Sequence, residues 1–306
     1  MTARTGAHRT AAPKAARAQR CIVLLNDRLL PAARATISAV DRGFLYGDGL
    51  FETVRIYRGR PFALERHLRR LARSAHIFRI PFDPTPAYWG SRLRRVLRAN
   101  KLLDRDAALR LTISRGAGPI GLLPPTGLRP TALLLATPID SRLAVAQTRG
   151  VALCFFPLRL VNSTLPSHKT LHYLPAVLGK IIAERKNAWE AAYVASDGTV
   201  LEGTTSNVFI VRDGGLVTPP LRGILPGVTR TVLATIARRA HIRLSERPIT
   251  PAELLAADEV FLTASTIEIL PVVRVERRRI GDGTPGAVTR ALQARYRQHV
   301  AATLER

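Results

Sequence analysis

Residues 202–230 read EGTTSNVFIVRDGGLVTPPLRGILPGVTR, and this stretch carries most of the information about the fold. It joins a carboxylate beside a glycine, a strand-like run from Asn207 to Val211, and a helix start at Gly227. Upstream, Lys169 stands in the segment LPSHKTLHYLP of residues 165–175, after a Pro-Ser turn and before an apolar helix expected over about 174–187. The amine, the carboxylate and the helix start are therefore candidates for one site.

Lys169 is one of only five lysines in a chain with 42 arginines. A lysine at a boundary between a turn and an apolar helix is partly desolvated, which lowers its pKa and favours Schiff-base formation. A lone lysine before a helix is ordinarily a solvated surface residue, so the neighbouring motifs have to support this interpretation.

Glu202 is expected in a turn after a strand over 198–201. A carboxylate at that place holds a pyridine nitrogen in its protonated form. Thr205 and Ser206 are small enough for the backbone to approach a planar ring, and Asn207 can fix the turn through its side chain. An ordinary hairpin is the alternative for each of these residues, taken singly.

The predicted phosphate site lies at the start of a helix expected over 228–240. Free amides and the positive end of the helix dipole bind anions there, and further hydroxyl groups and an arginine can close the site. Its candidate residues are Arg70, Gly227, Val228, Thr229, Ser265 and Thr266. An amine, a carboxylate and a phosphate cradle are the groups that hold pyridoxal 5′-phosphate (PLP), and we interpret the chain as a PLP enzyme.

Composition excludes several other classes of protein. The 306 residues include no apolar run long enough for a membrane span, and the two cysteines show no metal-binding spacing, which favours a cytoplasmic protein without a metal. The formal charge of +25 is spread along the chain, so weak adhesion to nucleic acid is expected but no specific recognition. Residues 1–20 carry five basic residues and no acid, and they are predicted to form a disordered basic tail.

The remaining patterns predict an α/β (α+β) protein of two domains. A hairpin is expected over 21–34, a glycine-rich loop over 41–52, a strand over 53–57, and helices from Leu64 and over 86–99. Strands are also expected over 107–114 and 131–137, separated by a long loop at 116–130. We place a small N-terminal domain at 21–138, a linker at 139–147 and a larger PLP-binding domain at 148–306. In the larger domain, Thr250-Pro251-Ala252-Glu253 predicts a capped helix.

The run from Glu202 to Arg230 resembles the signature of class IV PLP-dependent aminotransferases, a fold-type-IV family. The loop DRGFLYGDGLFE of residues 41–52 and the segment HLRRL of residues 67–71 are similar to N-terminal motifs of that family. The similarity extends over about 21–295. It implies two α/β domains with PLP between them, and a homodimer in which a loop matching residues 116–125 covers the site of the partner subunit.

The resemblance also implies roles for individual residues. Lys169 would form the aldimine with PLP and act as the general base, and Glu202 would contact the pyridine nitrogen. Residues that would face the substrate are Tyr46, Phe51, Arg110 and, through its backbone, Thr266; Tyr173 approximates a tyrosine that follows the lysine in branched-chain enzymes. The expected partners are small molecules, an amino acid and a 2-oxo acid.

Several departures from family patterns bear on the reaction. The Arg-x-His trap of D-amino acid aminotransferases is replaced by Ile120-Gly121-Leu122, and a tyrosine of branched-chain enzymes is replaced by Ala108. The Lys169-Thr170-Leu171 segment is similar to the D-amino acid and lyase branches, whereas Glu52 and residues 281–286 favour an aminotransferase. We expect a transaminase for an aliphatic or a D-amino acid. An aminodeoxychorismate lyase is the alternative, and a non-catalytic basic binding protein is a third interpretation.

Overall fold

The structure is a computed structural model that describes residues 21–157 and 165–305. Within these ranges the chain forms one sheet of six strands and one of nine, with helices packed against both. The expected mixed α/β class is therefore observed. The predicted tail at 1–20 lies outside the described residues.

The six-stranded sheet comes from the N-terminal part of the chain and has the strand order β2-β1-β6-β5-β3-β4. Its hairpin turns at Asn26 and Asp27, which both have positive φ, as a two-residue turn between right-twisted strands requires. The strands are β1 (Ile22–Leu25), β2 (Arg28–Pro31), β3 (Gly49–Tyr57), β4 (Arg60–Pro61), β5 (Ala107–Ser114) and β6 (Thr131–Pro138).

A short helix α1 (Arg42–Tyr46) precedes β3, and helices α2 (Leu64–Ile77) and α3 (Pro86–Ala99) cover this sheet. Leu68 and Leu71 of α2 pack into the same buried cluster as Val96 of α3. Arg70 lies on another side of α2, because residues one or two positions apart on a helix face different directions. It points toward the C-terminal half of the chain, where it donates to the Pro226 carbonyl.

The nine-stranded sheet is mixed, with the order β12-β11-β10-β13-β14-β7-β8-β9 and β15 paired to β14. Parallel pairs join β14 to β7, β7 to β8 and β11 to β12. The strands are β7 (Val151–Pro157), β8 (Glu190–Val194), β9 (Val200–Gly203), β10 (Asn207–Arg212), β11 (Gly215–Thr218), β12 (Leu244–Glu246), β13 (Glu259–Ala264), β14 (Glu268–Val275) and β15 (Arg278–Arg279).

Both faces of this sheet are covered. Along β10, Val208 and Ile210 pack into one buried cluster, whereas Phe209 and Val211 pack into another. A strand that is buried on both faces needs apolar side chains at every position, which explains the unbroken run VFIV. The helices of this half are α4 (Arg142–Arg149), α5 (Leu174–Arg185), α6 (Val228–Arg239), α7 (Pro251–Leu255) and α8 (Ala287–Leu304).

Most of the predicted elements are present, whereas helix α8 and strands β11, β12 and β14 were not predicted. Three further differences are local. Helix α4, which was not predicted, begins inside the segment interpreted as a linker and ends beyond it at Arg149, and its Leu143 and Ala146 pack into a core cluster. The loop over 41–52 contains α1, and β3 begins at Gly49 instead of Thr53. Glu202 lies in β9 and not in the turn after it.

The capped start of α7 is confirmed, since the Thr250 hydroxyl accepts a hydrogen bond from the Glu253 amide at 3.1 Å. None of the described helices is long and apolar enough to cross a membrane.

Candidate active site

A cavity of about 640 Å³ lies between the two sheets. Its walls come from β3, β5 and α2 on one side and from the β9–β10 turn, the start of α6 and the β13–β14 turn on the other. The predicted site residues that line it are Phe51, Arg70, Arg110, Lys169, Tyr173, Glu202, Thr205, Ser206, Asn207, Gly227, Val228, Thr229, Ser265 and Thr266. Residues far apart in the sequence are thus brought together as expected.

Tyr46 is the predicted site residue that does not line this cavity. It ends α1, and its hydroxyl accepts a hydrogen bond from the Gly121 amide at 3.0 Å. The guanidinium of Arg42 lies over its ring. Tyr46 therefore contacts the loop around Gly121.

The Lys169 segment is positioned by backbone pairing with β3. The Phe51 amide donates to the Lys169 carbonyl at 2.9 Å, and the Leu171 amide donates to the Gly49 carbonyl at 3.0 Å. A side chain at Gly49 would place a Cβ 2.6 Å from the Ile113 carbonyl oxygen and 2.7 Å from a Leu171 methyl group. Glycine at this position therefore allows the close approach that brings Lys169 to the cavity.

The Lys169 amine is buried beside aromatic rings. Its Nζ lies 4.4 Å from the centroid of the Phe51 ring and 5.7 Å from that of Tyr173. Burial, assisted by the charge of Arg70, lowers the pKa of Lys169 to about 8, although Glu52 and Glu202 act in the opposite direction. A larger fraction of this amine is neutral near pH 7 than of an exposed lysine, as a nucleophile or general base requires.

Glu202 projects from β9 and is held by two donors. The Asn207 side-chain amide donates to it at 3.0 Å, and the Leu225 backbone amide lies 3.1 Å from both carboxylate oxygens. Burial raises the pKa of Glu202 to about 8, against the lowering effects of the Leu225 amide and of Lys169. A cationic ring nitrogen beside this carboxylate would favour its ionised form, so the group suits a protonated pyridine.

Glu190, which the sequence analysis missed, fixes the turn between β9 and β10. This fully buried carboxylate accepts hydrogen bonds from the Thr204 hydroxyl, the Thr205 hydroxyl and the Thr205 amide. A Cβ on Gly203 would lie 2.5 Å from the Ser206 hydroxyl and 2.9 Å from Glu190. The amide and the hydroxyl of Thr205 are therefore both directed at Glu190. The sequence feature that could have indicated Glu190 is an acidic residue inside the apolar run WEAAYV.

The opposite end of the cavity has the donors of an anion site. Helix α6 begins at Val228 without a side-chain cap, so its first amides are free for a ligand. A Cβ on Gly227 would lie 2.0 Å from the Asn207 side-chain oxygen, which excludes larger residues there. Among the described residues, the buried hydroxyls of Ser206 and Thr263 have no hydrogen-bond partner, and both residues line the cavity.

Arg70 adds positive charge at this end but is not free to rotate. Its Nε and Nη2 atoms each lie 2.7 Å from an oxygen of the buried Glu52 carboxylate, and its Nη1 donates to the Pro226 carbonyl at 2.8 Å. A guanidinium has five N–H groups, so two remain for an anion. Although burial would raise it, the charge of Arg70 and the hydrogen bonds from Arg70 and His67 hold the pKa of Glu52 far below its usual range.

Arg110 provides a second cation at the other end. Its guanidinium carbon lies 3.6 Å from the centroid of the Phe51 ring, and its Nε donates to the Thr112 hydroxyl at 3.2 Å. No carboxylate in the described ranges 21–157 and 165–305 pairs with it. Burial lowers the pKa of Arg110, and a partly buried, uncompensated guanidinium favours a carboxylate ligand.

The cavity fits PLP in each of its parts. The same cavity is lined by an amine that can form a covalent bond with an aldehyde, a carboxylate suited to a pyridine nitrogen, and a cradle of amides and hydroxyls suited to a phosphate. The residues that supply these groups are among those proposed from the sequence. Two further buried carboxylates hold them in place, since Glu190 contacts Thr205 and Glu52 contacts Arg70.

Comparisons with known proteins agree with this chemistry. The family model described as amino-transferase class IV matches residues 49–275. A putative branched-chain-amino-acid aminotransferase of Methanocaldococcus jannaschii is 36% identical over 90% of this chain and 95% of its own length. A D-alanine aminotransferase of Bacillus licheniformis is 33% identical over 89% and 94%, and an aminodeoxychorismate lyase of Bacillus subtilis is 32% identical over 91% and 94%.

Solved structures lead to the same family. The branched-chain amino acid aminotransferase of Escherichia coli superimposes with a TM-score of 0.85 at 28% identity, covering 92% of this chain and 95% of that one. A hypothetical aminotransferase from Mycobacterium tuberculosis, solved in its PLP-bound form, gives a TM-score of 0.82 at 27% identity, covering 92% of this chain and 100% of that one.

The chain belongs to the class IV aminotransferase family. It is a PLP-dependent enzyme of fold type IV, and both the fold and the cofactor agree with the sequence-based predictions. The interpretation as a non-catalytic basic binding protein is not supported.

The pKa of Lys169 generates a prediction about how the cofactor attaches. Only the neutral amine attacks an aldehyde, so the rate of covalent attachment to cofactor-free protein should rise with pH and level off above about pH 8. Absorbance in the visible range, followed after mixing with PLP between about pH 6 and pH 10, measures that rate. The exposed Lys101 provides the control variant Lys101→Ala, which should give an unchanged profile.

A rate that continues to rise up to about pH 10 would indicate an amine with the ordinary lysine pKa. That result would contradict the buried environment described for Lys169.

Proposed function

We propose that this enzyme transfers the amino group of an aliphatic amino acid to a 2-oxo acid. The observation that supports this most directly is that the Phe51 ring contacts both the Lys169 amine and the Arg110 guanidinium, which pairs with no carboxylate among the described residues. A candidate proton-transferring group and a candidate carboxylate-binding group thus both lie against one small apolar surface. An α-amino acid presents a carboxylate, an α-proton and a side chain that match these three features.

The roles follow from the positions of the side chains. When bound, PLP supplies the electron sink that makes the α-proton of an amino acid acidic. Lys169 takes that proton at Nζ and returns it. Its lowered pKa favours this role, because a general base works best when its pKa lies near the pH of the reaction. Glu202 holds the ring nitrogen in its protonated form. Residues proposed to hold the phosphate are Arg70, Gly227, Val228, Thr229, Ser265 and Thr266.

Phe51 and Tyr173 form the apolar wall of the substrate end. Their rings meet edge to face with centroids 5.1 Å apart, and burial raises the pKa of Tyr173 to about 12, which keeps its hydroxyl protonated. Such a wall suits an aliphatic side chain and discriminates between neighbouring chain lengths by roughly 1–3 kcal/mol per methylene. Leu122 and Leu123 do not line the cavity of their own subunit.

We also propose a homodimer in which the loop around Gly121 covers the cavity of the partner subunit. Arg42 is buried and donates to the carbonyl oxygens of Gly121 and Leu122 at 2.7 and 2.8 Å. The loop is thereby fixed while the side chains of Leu122 and Leu123 remain 83% and 90% exposed. Apolar side chains presented on a fixed loop are typical of an interface. A cytoplasmic location is proposed from the low cysteine content alone.

The proposed function is tested by the absorbance of the PLP-loaded enzyme before and after addition of single L- and D-amino acids. A transaminase donor converts the visible band to one at shorter wavelength, and the amino acids that do so define both the side chain and the hand. We expect aliphatic donors of one hand to act and charged donors not to act. A band that responds to none of the common amino acids would contradict the transaminase and favour the aminodeoxychorismate lyase.

Arg110 generates a second prediction. If its guanidinium binds the substrate carboxylate, Arg110→Gln should raise the donor concentration at half-maximal spectral change by roughly 10–100-fold, the value of a charge-assisted hydrogen bond. Arg110→Lys should recover part of the loss, because it retains the charge without the planar fork. The exposed Arg98 supplies the control Arg98→Gln. Equal half-saturating concentrations for Arg110→Gln and Arg98→Gln would exclude the carboxylate role.

A further inference from the structure

A chain of buried polar groups runs behind the phosphate end of the cavity. His67 is 1% exposed and does not line the cavity, but its two ring nitrogens contact Glu52 and Ser265. Its Nδ1 lies 2.7 Å from a carboxylate oxygen of Glu52, and its Nε2 lies 3.4 Å from the Ser265 hydroxyl oxygen. Ser265 in turn lines the cavity beside Thr229. The link from Glu52 to Ser265 is therefore continuous.

The protonation state of His67 decides what the Ser265 hydroxyl can do. Glu52 is ionised and only accepts hydrogen bonds, so Nδ1 carries a proton in either state. In the neutral imidazole Nε2 then carries no proton and accepts a hydrogen bond from the Ser265 hydroxyl, whose single proton is thereby occupied. In the charged imidazole Nε2 donates to the hydroxyl oxygen instead, and the hydroxyl proton is available to an acceptor in the cavity.

The charges around His67 make this state sensitive to an anion. Burial lowers the pKa of His67, Glu52 raises it, and Arg70 and Lys169 lower it further, so that the net direction is downward. Without an anion the neutral ring is favoured. A phosphate dianion beside Ser265 would add two negative charges close to the ring and favour the protonated form.

We propose that His67 is a positioning residue that makes cofactor binding depend on proton uptake. When a phosphate dianion enters the cavity, His67 takes one proton from solvent at Nε2, and the Ser265 hydroxyl changes from a donor to His67 into a donor to the phosphate. This inference rests on the proposed assignment of Ser265 to the phosphate.

The test compares pyridoxamine 5′-phosphate with pyridoxamine as ligands of the cofactor-free full-length protein. Neither ligand has an aldehyde, so Lys169 forms no covalent bond, and the two differ only in the phosphate. His67→Asn retains a donor toward Glu52 and loses the link to Ser265, and Ser265→Ala removes the hydroxyl. Each should weaken pyridoxamine 5′-phosphate binding by roughly tenfold and leave pyridoxamine binding unchanged. His76→Asn, on the exposed side of the same helix, is the matched control.

The affinity of a double variant distinguishes an effect of His67 through Ser265 from a general disturbance of the structure. If His67 acts through Ser265, the double variant His67→Asn/Ser265→Ala should bind no more weakly than either single variant. His67→Gln places an uncharged amide near the position of Nε2, so it should recover part of the affinity lost in His67→Asn without taking up a proton.

Proton uptake is measured by calorimetry at about pH 8, where the phosphate is already a dianion, in buffers of different ionisation enthalpy. The wild type should take up more protons with pyridoxamine 5′-phosphate than Ser265→Ala, His67→Asn or His67→Gln. Equal uptake by the wild type and Ser265→Ala would overturn the proposal, even if the His67 variants do not fold. Additive losses in the double variant would overturn it as well.

A wrong assignment of the phosphate site would give a distinct result. The wild type itself would then bind pyridoxamine 5′-phosphate no better than pyridoxamine.

Discussion

Two backbone hydrogen bonds between β3 and the Lys169 segment hold the active site together. They fix Lys169 against Phe51 and Gly49, and therefore fix a residue of the second half of the chain on a strand of the first. Because side chains alternate along a strand, the same pairing sends Phe51 toward the substrate end and Glu52 toward Arg70 and His67. The aromatic ring of Phe51, the Lys169 amine and the Arg70 guanidinium therefore share one support.

Buried charge is the second organising feature. Glu52, Glu190 and Glu202 are all buried or largely so, and burial of an uncompensated carboxylate is costly. Glu52 is compensated by Arg70 and accepts a hydrogen bond from His67. Glu190 accepts hydrogen bonds from the two threonines that follow Gly203 and lies 3.5 Å from the Lys180 amine. Glu202 accepts its hydrogen bonds from neutral amides, and burial raises its pKa. Glu202 is therefore ready for a cationic ring nitrogen of the ligand.

The cavity residues could be predicted because their chemistry is visible in the sequence. Lys169 stands out by rarity, and Gly227-Val228-Thr229 by the free amides of a helix start. Glu190 and His67 could not be predicted in the same way, because each lies in a regular element and acts from behind a turn or a hydroxyl group. Only the packing of strands and helices shows which residues they reach.

Local structure was predicted best where periodicity is strong. The bounds of α3 and of β5 agree with the pattern, since apolar spacing marks their buried faces. Helix α4 was missed because it has two buried residues and follows Pro138 and Asp140, which are typical of a loop. The position of Tyr46 and the exposure of Leu122 depend, in the proposed dimer, on contacts with another chain as much as on their own, and one sequence does not contain that information.

We expect the cofactor to be bound covalently through Lys169 in this cavity. The most direct measurement is borohydride reduction of the PLP-loaded enzyme, followed by peptide mapping of the modified lysine in the wild type and in Lys169→Ala. We expect one adduct in the wild type, on the peptide containing Lys169, and none in the variant, while the variant keeps its fold by circular dichroism. An adduct on Lys101, Lys180 or Lys186, or an undiminished adduct in Lys169→Ala, would contradict the assignment of Lys169.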